Sequence, residues 1–288
     1  MIISKEDLCL LAAGTRRLTL ASIFNARSGH PGGSLSCADL LTFLTAVVLD
    51  WRHIKTDRDR IVLSKGHAVP ALYSIAAQLG VLELAQLSGL RKLGNKTQGH
   101  PHVVALPWVG SSTGSLGQGF SAAIGIAMGH LYRNDQIRVY AILGDGELQE
   151  GMVWEGAMCA AHYRLHNLCA IVDYNKMQSD DLNENIMGLE PLRAKWEAFN
   201  WHVIEIDGHD FDQIESAFEH ANETKGKPTV IIAHTIKGKG VSFMEGQPAW
   251  HGSVTLRPEE LEHALRDLGT AEEDIPAYLD GSIWSRQV

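Results

Sequence analysis

No apolar run in this sequence approaches the roughly 18 residues that a membrane-crossing helix requires, so no transmembrane segment is expected. The first twenty residues carry acids early and no basic leader ahead of an apolar stretch, so they do not read as a secretory signal. Cysteine is scarce. Cys9, Cys37, Cys159 and Cys169 contain no Cys-x-x-Cys pair, which argues against a zinc site or a disulfide framework and favours buried thiols in a reducing, cytoplasmic setting. A basic excess is also missing: 25 lysines and arginines face 34 acids, for a net charge of −9. That balance gives no general pull toward nucleic acid or an anionic membrane, and an anionic substrate would need local positive groups. Internal repeats and low-complexity linkers are absent.

What is present suits a globular α/β protein. Of 288 residues, 45% are apolar and 20% charged, enough for one large domain with a tail. One domain is expected over 1–255, followed by a helix plus arm over 256–288, packed on that domain or on a partner. Strand and helix patterns alternate. A helix is predicted over 4–26, capped by Ser4, with Gly29-His30-Pro31-Gly32-Gly33-Ser34 breaking it. That break reads either as a plain loop or as a stretch that brings His30 close to a ligand. A helical pattern resumes over 36–49, and 57–60 reads as a solvated polar stretch. Strand 61–64 leads through Lys65-Gly66-His67 into a helix ending near 79, 81–93 reads as helical, and 94–107 has no periodicity. A helix over 118–132 is opened by Thr113-Gly114-Ser115-Leu116-Gly117-Gln118-Gly119, which matches neither the dinucleotide fingerprint nor a P-loop. Strands are expected over 137–143, 168–174, 201–206 and 228–234, and helices over 191–200, 211–223 and 257–268. The alternation implies a doubly wound, mostly parallel sheet with helices on both faces.

One stretch organises the rest. Gly144-Asp145-Gly146 follows the strand at 137–143, and Asn175-Lys176-Met177-Gln178 follows the strand at 168–174. Ligands collect at strand carboxyl ends in such sheets. A carboxylate and an amide oxygen side by side suit a hard cation such as Mg²⁺, whose remaining positions phosphate oxygens can fill. Fourteen histidines are many for this length, and His30, His67, His100, His102 and His251 sit at glycine or proline turns. Lys237, after the strand at 228–234, reads as a surface charge or as a phosphate-attracting group.

The Gly-Asp-Gly turn followed one strand–helix–strand unit later by Asn175 resembles the thiamine diphosphate motif. Gly29-His30-Pro31, Ser64-Lys65-Gly66-His67, Gly99-His100-Pro101, Thr113 to Gly119, Gly144 to Gly151 and Trp250-His251-Gly252 occur in the order found in transketolases, covering most of the chain up to about residue 255. The resemblance implies thiamine diphosphate with Mg²⁺ or another divalent cation, the metal held by Asp145, Asn175 and the backbone carbonyl of Met177. It implies that His67, Gly114, Leu116, Gly146, Asn175, Lys237 and His251 contact the cofactor. His30, His100 and again His251 would face a sugar or sugar phosphate, with His67 also among the catalytic residues, and Glu150 would lie at a dimer interface. The Gly32-Gly33 pair departs from variants with a hydroxyl there, so any cofactor contact at that turn would be through backbone.

A whole transketolase continues into a pyrimidine-binding domain that carries the activating Glu. The resemblance therefore implies the N-terminal subunit of a split enzyme that self-associates as α2β2. Together with a separate C-terminal subunit, it would transfer a two-carbon ketol unit from a ketose to an aldose. Two alternatives share the cofactor motif: the α subunit of a 2-oxoacid dehydrogenase or decarboxylase, and a non-catalytic, diphosphate-binding regulatory subunit.

Overall fold

The computed structural model describes residues 3–51 and 58–286. The first two residues of the N-terminal stretch, Asp57 of the polar stretch and the last two residues of the arm lie outside this description. Along the chain, α1 (Lys5–Ala26), α2 (Pro31–Ser36) and α3 (Ala38–Phe43) precede β1 (Arg60–Leu63) and α4 (Val69–Gln78). Then come α5 (Gln118–Tyr132), β2 (Val139–Gly144), α6 (Gly151–His162) and β3 (Leu168–Tyr174). The one-turn α7 (Asn183–Ile186), α8 (Leu192–Ala198), β4 (His202–Asp207), α9 (Phe211–Glu223), β5 (Thr229–His234), α10 (Pro258–Asp267) and α11 (Ile275–Asp280) complete the order. The chain divides into two compact units. One comprises Met1–His53, His67–His100 and Ile236–Val288; the other comprises Ile54–Gly66 and Pro101–Thr235.

The second unit is built on a five-stranded parallel sheet of order β1-β2-β3-β5-β4. Apolar residues dominate β3, and every residue of it is buried, as expected for a strand covered on both faces. Alternation then sorts the side chains. Val139, Ala141 and Leu143 of β2 join Phe120 of α5, Ala157 of α6 and Trp196 of α8 in one core. On the opposite face Tyr140 meets Phe218 of α9 edge-on at 5.7 Å and donates its hydroxyl to Asn222 at 3.0 Å. Helices thus cover both faces. The register brings strand ends level: Gly144 pairs with Asp173, and Tyr174 with His234. Residues just beyond β2, β3 and β5 therefore emerge along one edge of the sheet. Asp59, expected in a solvated stretch, is half-buried and accepts the Arg138 N–H at 2.8 Å.

The first unit is helical. Ser4 and Asp7 close a reciprocal capping box at the start of α1. The helix is buried almost all round from Gly14 to Ile23 rather than on one stripe, because α3, α4 and α10 all pack on it. Arg16 of α1 makes a buried bidentate pair with Asp39 of α3, at 3.0 and 2.6 Å, and donates to the Leu35 carbonyl. The expected break after Gly29 is short: Pro31, suited to a first helical turn, starts α2 at once. The expected helix over 81–93 is only a 3-10 segment, Leu84–Gly89. It stops where the Asn95 side chain packs into the place a Cβ on Gly89 would occupy, and Arg91 then turns the chain with φ of 60°. The acidic stretch after β3 leads into α7. The C-terminal arm folds into α11 and a 3-10 turn whose Ile283 and Trp284 are buried in this unit.

Candidate functional site

Chemistry-bearing side chains form one group in each unit. In the sheet unit they stand at the strand ends. Asp145 follows β2 and is 2% exposed. Its Oδ1 accepts the Gly146 N–H at 2.8 Å and its Oδ2 the Lys176 N–H at 2.5 Å. Lys176 adopts φ of 65°, which folds the chain back so that this N–H reaches the carboxylate. Asn175, at the end of the adjacent strand, accepts the Met177 N–H on Oδ1 at 3.1 Å and donates Nδ2 to Asp173 at 3.4 Å. Its amide orientation is therefore set, with oxygen toward the turn that carries Met177. Gly146 leaves little space for a side chain, since a Cβ there would lie 3.0 Å from that of Gln178.

Burial, and next the charge of Asp173, push the Asp145 carboxyl up to about 7, although its two N–H donors and Lys65 oppose the shift. Lys65 does not neutralise it, because the Lys65 ammonium is paired with Asp173 at 2.5 Å. A buried carboxylate held by N–H groups and lacking a basic side-chain partner among the described residues fits a cation position. Asn175, at the end of the adjacent strand, carries an amide oxygen, a hard donor of the kind that suits Mg²⁺.

Two carboxylates hold this edge together, and the motifs do not single out either of them. Asp173, fully buried, accepts from Lys65, from Asn175 and from the Thr235 hydroxyl. Glu147 accepts the Ser64 hydroxyl at 2.5 Å and the Gly117 N–H at 2.9 Å on one oxygen, and the Gly144 N–H at 3.0 Å on the other. It ties the end of β1, the Gly-rich stretch and the Gly-Asp-Gly turn into one network. Gly114 lies in that stretch, against Gly66, where a Cβ would approach the Gly114 nitrogen to 2.9 Å. Leu116 is half-buried beside it, and Glu150 is exposed at the start of α6. A sequence signal exists for Asp173: it is the sole charged residue of an otherwise buried strand.

In the helical unit four of the five predicted residues gather. His30, His67 and His251 form a triangle with ring centroids 5.2, 5.3 and 5.8 Å apart. Lys237, 2% exposed, places its ammonium 2.9 Å from Nδ1 of His251. An ammonium only donates, so Nδ1 of His251 accepts and its proton sits on Nε2. Gly32 makes room for the buried lysine stem; a Cβ there would lie 3.0 Å from Lys237 Cγ and 2.8 Å from the Trp250 carbonyl. His30 rests on the backbone of Gly252, where any Cβ would meet its ring at 2.3 Å. Burial first, then the charges of Arg91, His100 and Lys237, lower the His30 pKa to about 4. The fifth residue, His100, is more exposed; its carbonyl accepts the Tyr73 hydroxyl, and desolvation and Arg91 lower its pKa.

A family profile described as the thiamine diphosphate binding domain of transketolase matches residues 9–279. The chain is 44% identical over 261 residues to the 6-deoxy-6-sulfo-D-fructose transketolase subunit SqwG of Clostridium sp. (strain MSTE9), covering 88% of this chain and 93% of that one. It is 37% identical over 279 residues to an apulose-4-phosphate transketolase subunit of Phocaeicola vulgatus, covering 96% and 99%. Human transketolase is 39% identical over 255 residues, but only 40% of its length is matched, against 86% of this chain. Among solved structures, transketolase from Campylobacter jejuni superposes with a TM-score of 0.85 at 30% identity, covering 98% of this chain and 48% of that one. The chain thus spans about half the length of the solved transketolases it matches. On the profile, the identities and the fold together, the chain belongs to the transketolase family and carries that family's thiamine diphosphate-binding domain.

Proposed function

We propose that this chain is the cofactor-binding subunit of a two-chain transketolase, transferring a two-carbon ketol unit from a ketose to an aldose. The observation that carries this reading is the Asp145–Asn175 arrangement at two adjacent strand ends, in a chain that matches two transketolase subunits over 93% and 99% of their lengths. The family match leaves nothing in favour of the dehydrogenase alternative.

Asp145, the Asn175 amide oxygen and the Met177 carbonyl are assigned to a divalent cation, Mg²⁺ by donor chemistry. Bound thiamine diphosphate supplies the carbon nucleophile and the electron sink for carbon–carbon cleavage. The protein's part is to hold and to steer. The Lys237 ammonium and the backbone at Gly146, Gly114 and Leu116 are assigned to the cofactor, together with His67 and His251. His251 presents an Nε2–H group, which suits donation to substrate oxygens, and His30 and His100 are assigned to the sugar. The family's motif order is the ground for assigning both groups of residues to one cofactor. Glu150 is assigned to self-association in an assembly with two copies of each chain.

The pyrimidine-side machinery and its activating Glu are assigned to a separate C-terminal subunit. The named substrates of the two subunit relatives carry a sulfonate and a phosphate, so an anionic ketose is the proposed donor class. No helix among the described residues is long and apolar enough to cross a membrane; together with four free thiols this supports a cytoplasmic assignment. The test is ketol transfer from a ketose phosphate or sulfonate to an aldose phosphate, with Mg²⁺ and thiamine diphosphate, with and without the partner chain. Transfer only with the partner is expected. Full transfer by this chain alone would overturn the two-chain reading, and cofactor binding without transfer in the presence of the partner would favour the regulatory alternative.

A further inference from the structure

Arg91 lies outside the sequence motifs, yet its guanidinium is held at several points. Its backbone takes φ of 60°, a left-handed conformation uncommon for a residue with a side chain, and its N–H donates to the Thr97 carbonyl at 2.9 Å. Gly99 lies against the side chain: a Cβ there would sit 2.9 Å from Arg91 Nε and 3.3 Å from Cζ and Nη2. Nη1 donates to the Ser28 hydroxyl at 2.7 Å. Nη2 faces Nδ1 of His30 at 3.3 Å. No carboxylate pairs with this guanidinium among the described residues. The pinned turn, the glycine backbone and Ser28 hold the charge on His30 instead.

Chemistry decides what that contact means. A guanidinium has donors only and keeps its proton, so Nδ1 of His30 must present its lone pair. His30 is then neutral, with its single proton on Nε2. Among the described residues, the other charged or titratable groups around the ring are Lys237, His100, His67 and His251, and none of them is acidic. No acid among the described residues faces the ring to stabilise an imidazolium. A neutral imidazole whose Nδ1 is occupied and whose Nε2 already carries hydrogen has no free lone pair with which to take a proton. It can donate a hydrogen bond to an oxygen that gains negative charge.

We propose that Arg91 is a positioning residue for the transfer reaction: by occupying Nδ1 it fixes His30 as the Nε2–H tautomer, so that His30 serves the substrate as a hydrogen-bond donor and not as a base. The proposal rests on the reading that His30 faces the sugar. Its tautomer can be read without turnover, so the two can fail separately.

The experiment uses the assembled enzyme with its partner chain, Mg²⁺ and thiamine diphosphate, and compares wild type with Arg91→Met and Arg91→Lys. Histidine ¹⁵N shifts, with the His30 signal assigned by its loss in His30→Asn, report tautomer and charge directly. Wild type is expected to show an unprotonated Nδ1 on His30 from about pH 8 down to about pH 6. Arg91→Met is expected to give mixed tautomers, a titration moved upward toward the ordinary histidine range, and roughly tenfold or greater loss of kcat, with thiamine diphosphate affinity held within about twofold. Arg91→Lys, which keeps a donor, is expected to recover most of the tautomer preference. A protonated Nδ1 or an imidazolium on wild-type His30 at about pH 7 would overturn the proposal, as would an Arg91→Met enzyme with unchanged tautomer and kcat. If Arg91→Met does not fold, the wild-type and Arg91→Lys spectra decide. If wild type transfers no ketol unit to any acceptor, the function reading fails while the His30 spectrum still judges Arg91.

Discussion

Lys65, just beyond β1, and Asp173, near the end of β3, form an ion pair at 2.5 Å with side chains 2% and 0% exposed. An ammonium and a carboxylate taken out of water together persist only when the remaining polar atoms are satisfied. Here Thr235 and Asn175 supply further donors to Asp173. The pair orients Asn175 and at the same time withholds the lysine charge from Asp145.

Replacing Lys65 by Met should leave Asp173 buried without its counter-charge, at a cost of about 3–5 kcal/mol. The double variant Lys65→Met/Asp173→Asn should recover part of that loss, because no uncompensated carboxylate remains. Denaturant unfolding of the single and double variants checks this. Equal or greater destabilisation of the double variant would mean that the pair's hydrogen bonds, not its charge balance, dominate.

Glu147 should be intolerant of Gln. Both carboxylate oxygens accept hydrogen bonds, from Ser64 and Gly117 on one side and Gly144 on the other. An amide NH₂ cannot accept, so at least one backbone N–H loses its partner, costing about 1–3 kcal/mol. The expected outcome is a lower melting temperature, with weakened thiamine diphosphate binding because the Gly-rich stretch is no longer tied to the Gly-Asp-Gly turn.

Gly252→Ala should act through His30. The new methyl would fall 2.3 Å from its ring, so the imidazole must shift. Steady-state kinetics of the assembled enzyme should show reduced kcat/KM for the ketose with cofactor affinity close to wild type. Equal loss of cofactor affinity would place the effect elsewhere.

Stability should also report the neutral state of His30. Its folded pKa, about 4, lies below the 6.5 of an unperturbed histidine, so between these values the unfolded chain binds the proton and the folded chain does not. Stability from this group is therefore complete above about 6.5 and is lost as pH falls toward about 4. His30→Asn should flatten the acid side of the stability curve over that window, measured as melting temperature against pH.

Much of this architecture is legible from residue order. The bounds of α5, β3 and α9 follow from Gly117-Gln118-Gly119, from a nearly continuous apolar run, and from Asp210 capping the N-terminus of α9. Asp145 and Asn175 are legible because glycines and strand ends frame them. The helix expected over 81–93 fails because Gly89 and Arg91 answer to Asn95, Gly99 and His30 rather than to helical spacing. Glu147 and Asp173 are not legible as a network because Ser64 lies 83 residues from Glu147, and Lys65 108 residues from Asp173. A carboxylate reads from sequence as a solvated charge until its partners are brought to it.

The most direct test of the account is thiamine diphosphate binding to the assembled enzyme, titrated calorimetrically with and without Mg²⁺, for wild type, Asp145→Ala and Asn175→Ala. Binding is expected to depend on Mg²⁺ in wild type, to be abolished in Asp145→Ala and to be weakened in Asn175→Ala. Normal Mg²⁺-dependent binding by Asp145→Ala would contradict it, and the cation would then belong elsewhere than at the end of β2.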